Sequence, residues 1–555
     1  MRMLLVCLIG FPAFGQLTEA QKVFDFQALA GLYAKRYAPK DWKQTVFGFD
    51  AFNISPWLDR VRATDNDLDF YELMVEYVSS LQDGHDAYVL PSNFSATLGL
   101  TLDVYDGKVL IDSINRTLLP LARFPFVVGD EIVSVDSVTA AQLLKDFAKY
   151  ARQGNDRSTA RVAASRIVTR PQSRMPRAID LGPTAAVVVK RQTGATETYT
   201  IPWVKSGTPL TRIDPAPVLT ADVVVEPEMD PADRLLMGLQ TAKAPENFGI
   251  LNNASLTPVF ALPTGFVRRL GTAPDFFYSG TYTANGLRIG YIRIPTYSPS
   301  STAAALTQFQ QELAFFQDNT DGLVVDQMRN NGGDLCYGET IVSNLIPQTF
   351  RPMGYAIRAT YEYLQLFTAR LTNAQAANNQ TLIRQYQPIL EAVQAAYDGS
   401  QRITDVIPLC TSNFDRPAAV NNMGAVIAYR KPLIMLIDEF SVSTADSVPA
   451  MIQDNARGLL VGWRTNGMGG SNSLNIQRFQ VGAYSEGDTG ITLSLMARKE
   501  IITTPEYPPS RYIENVGVRP DVELDYMTLD NLLNNGRTFV NSFTDVIVQQ
   551  IRKAQ

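Results

Sequence analysis

The sequence predicts a multidomain α/β protein, and three observations carry that expectation. First, Leu433–Ile437 after Pro432 is apolar throughout and bounded by turn signals, the mark of a strand buried on both faces of a parallel sheet. It breaks at Asp438, Glu439 and the small residues Ser441, Ser443 and Thr444. Val448, Met451 and Ile452 then keep helical spacing, so a helix starts near Ser443. Second, Leu323-Val324-Val325 repeats the pattern, running into Asp326 to Gly333 with a helix to follow. Third, the period changes along the chain: helical, then short alternating strands, then strand–helix alternation through Gly470. A chain of 555 residues has room for two to four such domains.

In order, residues 1–15 read as a secretory signal: Arg2, an apolar stretch from Met3 to Phe14, and small residues in Ala13-Phe14-Gly15. Cys7 lacks a small residue before it, which disfavours a lipid anchor. Residues 16–92 form a helical amino-terminal domain, with Val23, Phe26, Leu29 and Leu32 on one face and Tyr71, Met74, Val75 and Val78 on another. Asp65 or Asp67 could cap the second helix, and Gly84 suits the left-handed position after it. Residues 93–204 are β-rich: strands at Gly107–Ile114 and Val127–Val135, a helix from Ala140 to about Tyr150, and a hairpin across Thr193-Gly194. Residues 205–282 are Pro-rich and read as an irregular linker. Residues 283–351 and 423–530 make an α/β core, interrupted at 352–422 by Gln- and Ala-rich helices that resemble an inserted cap. A carboxyl-terminal helix closes the chain at 531–555.

Composition excludes several classes. With 45% hydrophobic and 19% charged residues the chain is an ordinary globular one, and its net charge of −6 argues against nucleic acid or an anionic membrane as partner. No stretch after the signal is long and apolar enough to span a bilayer, so a secreted or periplasmic protein is expected. The single histidine, His85, rules out zinc sites built on paired His, and no metal or cofactor is expected. Cys336 and Cys410 could pair in an oxidising compartment or stay as buried thiols.

Strand, tight turn and helix put Ser443 where a hydroxyl is exposed beside free backbone N–H groups and a helix dipole. Its ordinary role there is an N-cap, shared with Thr444. Gly332 and Gly333, at the end of the neighbouring strand, could aim N–H groups at an oxyanion or simply make a turn.

The strands wrapped around a helix, with the GDEIVSVD stretch at 129–136, resemble a PDZ domain; Leu98-Gly99-Leu100 is the only trace of a carboxylate-binding loop. The whole chain resembles peptidase family S41, which includes carboxyl-terminal processing peptidases and the tricorn core. The pieces come in the family's order: Asp83-Gly84-His85, the PDZ-like part, Gly290–Ile294, Asp326 with Arg329-Asn330-Asn331-Gly332-Gly333, Ser441–Asp446, Val461–Gly470 and Glu514–Asp521. The resemblance implies a crotonase-like catalytic core, with Ser443, three places before Asp446, as nucleophile and Ser441 as the neighbouring control. It implies an oxyanion hole from Thr444 and from Gly332 or Gly333, although Arg329 sits one place late in its motif. Processing peptidases use a Lys as base where this chain has Met468, and Met cannot take a proton. The tricorn-like, His-containing branch uses a His and a Glu, which here are His85 and Glu514, with Glu500 as rival acid. The expectation is a serine peptidase acting on peptides or proteins through a Ser–His–Glu triad. An inactive peptide- or ligand-binding relative is the alternative. A crotonase-type acyl-CoA enzyme is disfavoured by the signal and the lack of a basic patch.

Overall fold

The computed structural model describes residues 16–210, 255–271, 275–471 and 479–555. The expected signal at 1–15 and most of the 205–282 linker lie outside the described residues.

A seven-stranded sheet organises the carboxyl-terminal half. Its order is Val267–Arg268, Tyr278–Ala284, Leu287–Arg293, Gly322–Asp326, Leu433–Ile437, Leu459–Gly462, Val522–Glu523. The first two pairings are antiparallel and the remaining four parallel. The apolar runs are continuous because each face of the sheet is covered. Leu323, Val325, Leu433, Met435 and Ile437 pack with Phe309, Leu313, Ile341 and Val448 from helices on one side. Val324, Ile434 and Leu436 pack with Phe543, Ile547 and Ile551 of the terminal helix Arg537–Ala554 on the other. The core sheet therefore begins earlier than residue 283. The strand at 278–284 is rich in Tyr, Thr, Ser and Gly, so its apolar signal is faint although its pairing with 287–293 is complete.

Ahead of it, a second sheet runs Leu100–Tyr105, Lys108–Ile114, Glu131–Val135, Thr184–Lys190, Thr196–Pro202. The basic stretch after Ala151 contains a helix, Asp156–Val168, that sequence periodicity did not mark. Arg161 and Arg166 lie among its buried residues, which hides the apolar stripe. Helices at Glu19–Arg36, Lys40–Phe47, Ser55–Arg62 and Asp67–Ser80 form the amino-terminal part. Asn66, rather than either Asp, caps the last of these through the Asp69 N–H at 3.0 Å. The left-handed residue after that helix is Gln82, at φ 52°, and not Gly84. Gly84 answers a different need: a Cβ there would lie 2.6 Å from Met468 Sδ.

The insertion at 352–422 holds helices Tyr361–Ala376 and Gln380–Asp398 packed against each other. Cys410, near its end, is disulfide-bonded to Cys336 at the start of helix Leu335–Ser343, with Cα atoms 5.2 Å apart. The bond spans 74 residues and ties the insertion to the helix that follows the glycine loop. Thiol titration of the denatured, unreduced chain, freed of residues 1–15, should find no thiol, and Cys410→Ser should cost about 2–4 kcal/mol of stability. Two titratable thiols per chain would contradict the pairing.

Candidate active site

The parallel strands end together, and their exits form the floor of the site. Ile437 leads through Asp438–Val442 to Ser443, whose backbone sits at φ 59° and ψ −115°, and the helix Thr444–Asp454 starts at once. An ordinary N-cap lies in the extended region at negative φ, so this is a strained turn rather than a routine cap. Asp446 holds it: one carboxylate oxygen accepts the Ser443 N–H at 2.8 Å, the other the Gly467 N–H at 2.9 Å. Burial pushes Asp446 up to about 7, with hydrogen bonds from Thr465, Gly467 and Ser443 drawing it back. Ser441 lies wholly inside, its hydroxyl near Gln327 O and Asp438 Oδ1.

The glycine loop packs directly on this turn. A Cβ at Gly332 would lie 2.5 Å from Val442 O and 2.9 Å from Ser443 Cβ, and one at Gly333 2.4 Å from Ser298 Oγ. Both glycines also take positive φ, so the chain can pass here only without side chains. The Gly332 N–H is taken by Asn330 Oδ1 at 2.8 Å. Among the described residues, no hydrogen bond takes the N–H of Gly333 or of Thr444. The late Arg329 is accommodated by its own positive φ of 59° and an ion pair with Asp438.

His85 lies on the loop Gln82–Asp86, its side chain 14% exposed and its Nδ1 buried with no hydrogen-bond partner. Burial pulls the imidazole below its ordinary value; Asp83 pulls it back up and Lys43 pushes it further down. Glu514 is fully buried. Its Oε1 accepts from Lys43 Nζ and its Oε2 from the Gly470 N–H at 2.9 Å. Burial and nearby Asp83 push Glu514 up to about 8 against the pull of Lys43. Among the described residues, no nitrogen–oxygen approach within 4.0 Å joins His85 to Glu514; the carboxylate that near the imidazole is Asp83, at 3.9 Å. Glu500 is at the surface beside Lys499.

Sequence reasoning passed over Lys43, Asp83 and the clamping role of Asp446. Asp83 stood inside a noted motif, whereas Lys43 carries no local signal. It also passed over the polar seams that join the loops. Asn466 accepts the Gly154 N–H, Asn155 donates to Thr465 O and Asn466 O, and Asn515 donates to Gln82 O and Gly154 O. Farther along, Arg161 in the β-rich part bonds Asp103, Glu439 and Tyr526, and Arg157 bonds Glu439 and Asp525. Burial alone would raise Glu439; the two guanidinium groups outweigh it and hold the carboxyl at about 2.

This arrangement agrees with what comparison finds. Residues 288–524 match the model of peptidase family S41, and residues 94–209 that of a PDZ domain. A family S41 peptidase domain therefore follows a PDZ domain in a chain of multidomain α/β fold, which makes the protein a serine-type peptidase acting on peptides or proteins. It is similar to a protein of Chlamydia pneumoniae, 22% identical over 96% of this chain and 91% of that one. A protein of Chlamydia trachomatis serovar D is 24% identical over 95% of this chain and 92% of that one. Among solved structures, mature CPAF complexed with lactacystin covers 96% of this chain and 99% of its own, with 20% identity and a TM-score of 0.74. Mature CPAF alone gives 0.73. At this identity the likeness is one of fold. No helix among the described residues is long and apolar enough to cross a membrane.

Asp446 and Glu514 both keep protons in the folded chain that ordinary carboxyls, at about 3.9 and 4.3, have already lost. Between those values and about 7 to 8 the folded state binds more protons, so stability falls as pH rises. The lowered imidazole of His85 acts in the opposite sense, but only below about 6.5. The thermal midpoint should therefore be lower at pH 8 than at pH 6.5; an equal or higher midpoint at pH 8 would contradict the two raised carboxyls.

Proposed function

We propose that this chain is an exported peptidase that cuts peptide bonds with Ser443 as nucleophile, His85 as general base and Glu514 as the acid of the triad. The observation that carries the reading is the contact of Met468 with Gly84. Met468 stands where processing peptidases carry a Lys base, and it packs on the residue preceding His85. The two base positions of the family thus share one place, and here the imidazole is the group able to take a proton.

The chemistry follows from the parts. Ser443 Oγ attacks the carbonyl carbon and passes its proton to the imidazole. The negative charge on the carbonyl oxygen is met by the N–H groups of Thr444 and Gly333, with Gly332 the bare residue that lets the loop approach. The imidazolium then protonates the leaving amine, and water repeats the sequence to release the acyl group. Glu514, buried and hydrogen-bonded to Lys43 and to the Gly470 N–H, closes the site on the side away from solvent. Export is supported by the signal-like residues 1–15 and by the Cys336–Cys410 disulfide, which suits an oxidising compartment.

Ser443→Ala should abolish hydrolysis of an unfolded protein substrate, while Ser441→Ala should keep most of it and lower thermal stability through the lost buried contacts. Wild-type activity in Ser443→Ala would remove the nucleophile. Inactivity of the wild-type chain toward every peptide and toward fluorophosphonates would favour the binding-protein alternative.

A further inference from the structure

The buried surroundings of His85 hold more charge than a triad requires. Asp83 and Asp86 come from its own loop, Tyr37 and Lys43 from the amino-terminal helical region, and Glu514 from the carboxyl-terminal part. Their bonds are unevenly shared. Lys43 Nζ spends its donors on Glu514, on Asn515 Oδ1 at 2.6 Å and on Gln82 O at 3.0 Å. With Gly470 on its other oxygen, Glu514 is held at both ends. Asp83 is held differently: Tyr37 donates to Oδ2 at 2.8 Å, and Oδ1 accepts the main-chain N–H of His85 itself at 2.9 Å. That same Oδ1 is the oxygen 3.9 Å from Nδ1, the imidazole nitrogen that has no partner.

We propose that Asp83 is a positioning residue for His85: it fixes the loop through the backbone and faces Nδ1, so that Nδ1 carries the proton and Nε2 is free to act as base. The Lys43–Glu514 pair is then the frame around this contact, setting the potential without touching the ring. Each Asp83 oxygen has one fixed donor, which leaves Oδ1 a second lone pair for Nδ1–H after a small rotation of the ring. The proposal rests on His85 being the base, and a measurement that does not use activity separates the two ideas.

His85 is the single histidine of the chain, so histidine labelled with nitrogen-15 yields one imidazole in the full-length protein. In the wild type, the neutral ring should be the Nδ1–H tautomer. In Asp83→Asn its pKa should fall by about one pH unit, a tenfold change, as expected for losing a carboxylate within about 4–6 Å. The low-pH limb of kcat/KM should move by the same amount, with kcat falling and KM nearly unchanged. Because Asp83→Asn could fail to fold, the double variant Lys43→Met/Glu514→Gln gives the converse reading. It removes the cationic Lys43 together with a Glu514 that is still protonated where the imidazole titrates, so it should leave the Nδ1–H tautomer and raise the pKa or leave it unmoved, never lower it. An Nε2–H tautomer in the wild type, an unmoved pKa in Asp83→Asn, or a full-unit fall in the double variant would overturn the proposal. A pKa that falls in Asp83→Asn while the rate limb stays put would uphold the positioning and remove His85 as the base.

Discussion

The site depends on one constraint of the backbone: at Ser443 the chain leaves a central parallel strand and enters a helix through a conformation that L-residues avoid. Such a turn costs about 1–3 kcal/mol and persists only where its surroundings over-determine it. Here Asp446 fixes the Ser443 N–H, the side-chain-free Gly332 fills the space beside Ser443 Cβ, and Val442 N–H bonds Asn330 O at 2.9 Å. Gly332 and Asn330 belong to the exit of strand Gly322–Asp326, and Asp446, on the helix after Ser443, also accepts the Gly467 N–H from the loop after Leu459–Gly462. The strain therefore ties the glycine loop, the serine turn and the 465–470 loop into one object, and it leaves the hydroxyl at the mouth of the sheet.

A second layer of order is electrostatic. Glu439, four residues before Ser443, is buried between Arg157 and Arg161, which belong to the helix after the first β-rich strands. Asp438 beside it pairs with Arg329 of the glycine loop. Buried ion pairs add little net stability, yet removing one partner leaves an uncompensated charge. Their effect is to fix relative placement: the β-rich unit cannot shift against the serine turn without exposing or orphaning several charges. The polar seam from Gly154 and Asn155 to Asn466 and Asn515 has the same consequence for the loops that carry His85 and Glu514.

Much of this was legible in the sequence because its signals are local. The continuous apolar runs at 323–325 and 433–437, the paired glycines and the Ser443 turn declare themselves within ten residues. The strand at 278–284 escaped notice because its Thr, Tyr, Ser and Gly residues pair between two neighbouring strands without an apolar pattern. The helix 156–168 escaped because its buried face carries Arg161 and Arg166, and Arg161 finds its partners Asp103, Glu439 and Tyr526 outside the helix, 58 to 365 residues away. Gly84 read as a helix terminator, whereas the structure gives that conformation to Gln82 and reserves Gly84 for the approach of Met468. Lys43 had no signal at all: its three acceptors come from Gln82, Glu514 and Asn515, a meeting that only the fold creates.

The central claim is that Ser443 is made nucleophilic by His85 at this strained strand exit. Mass-spectrometric mapping of a fluorophosphonate adduct tests it most directly, on the wild type and on His85→Ala. The account predicts one phosphonylated residue, Ser443, in the wild type, and labelling slowed by several powers of ten in His85→Ala with the fold intact. An adduct on another residue, or equal labelling rates in the two proteins, would contradict it.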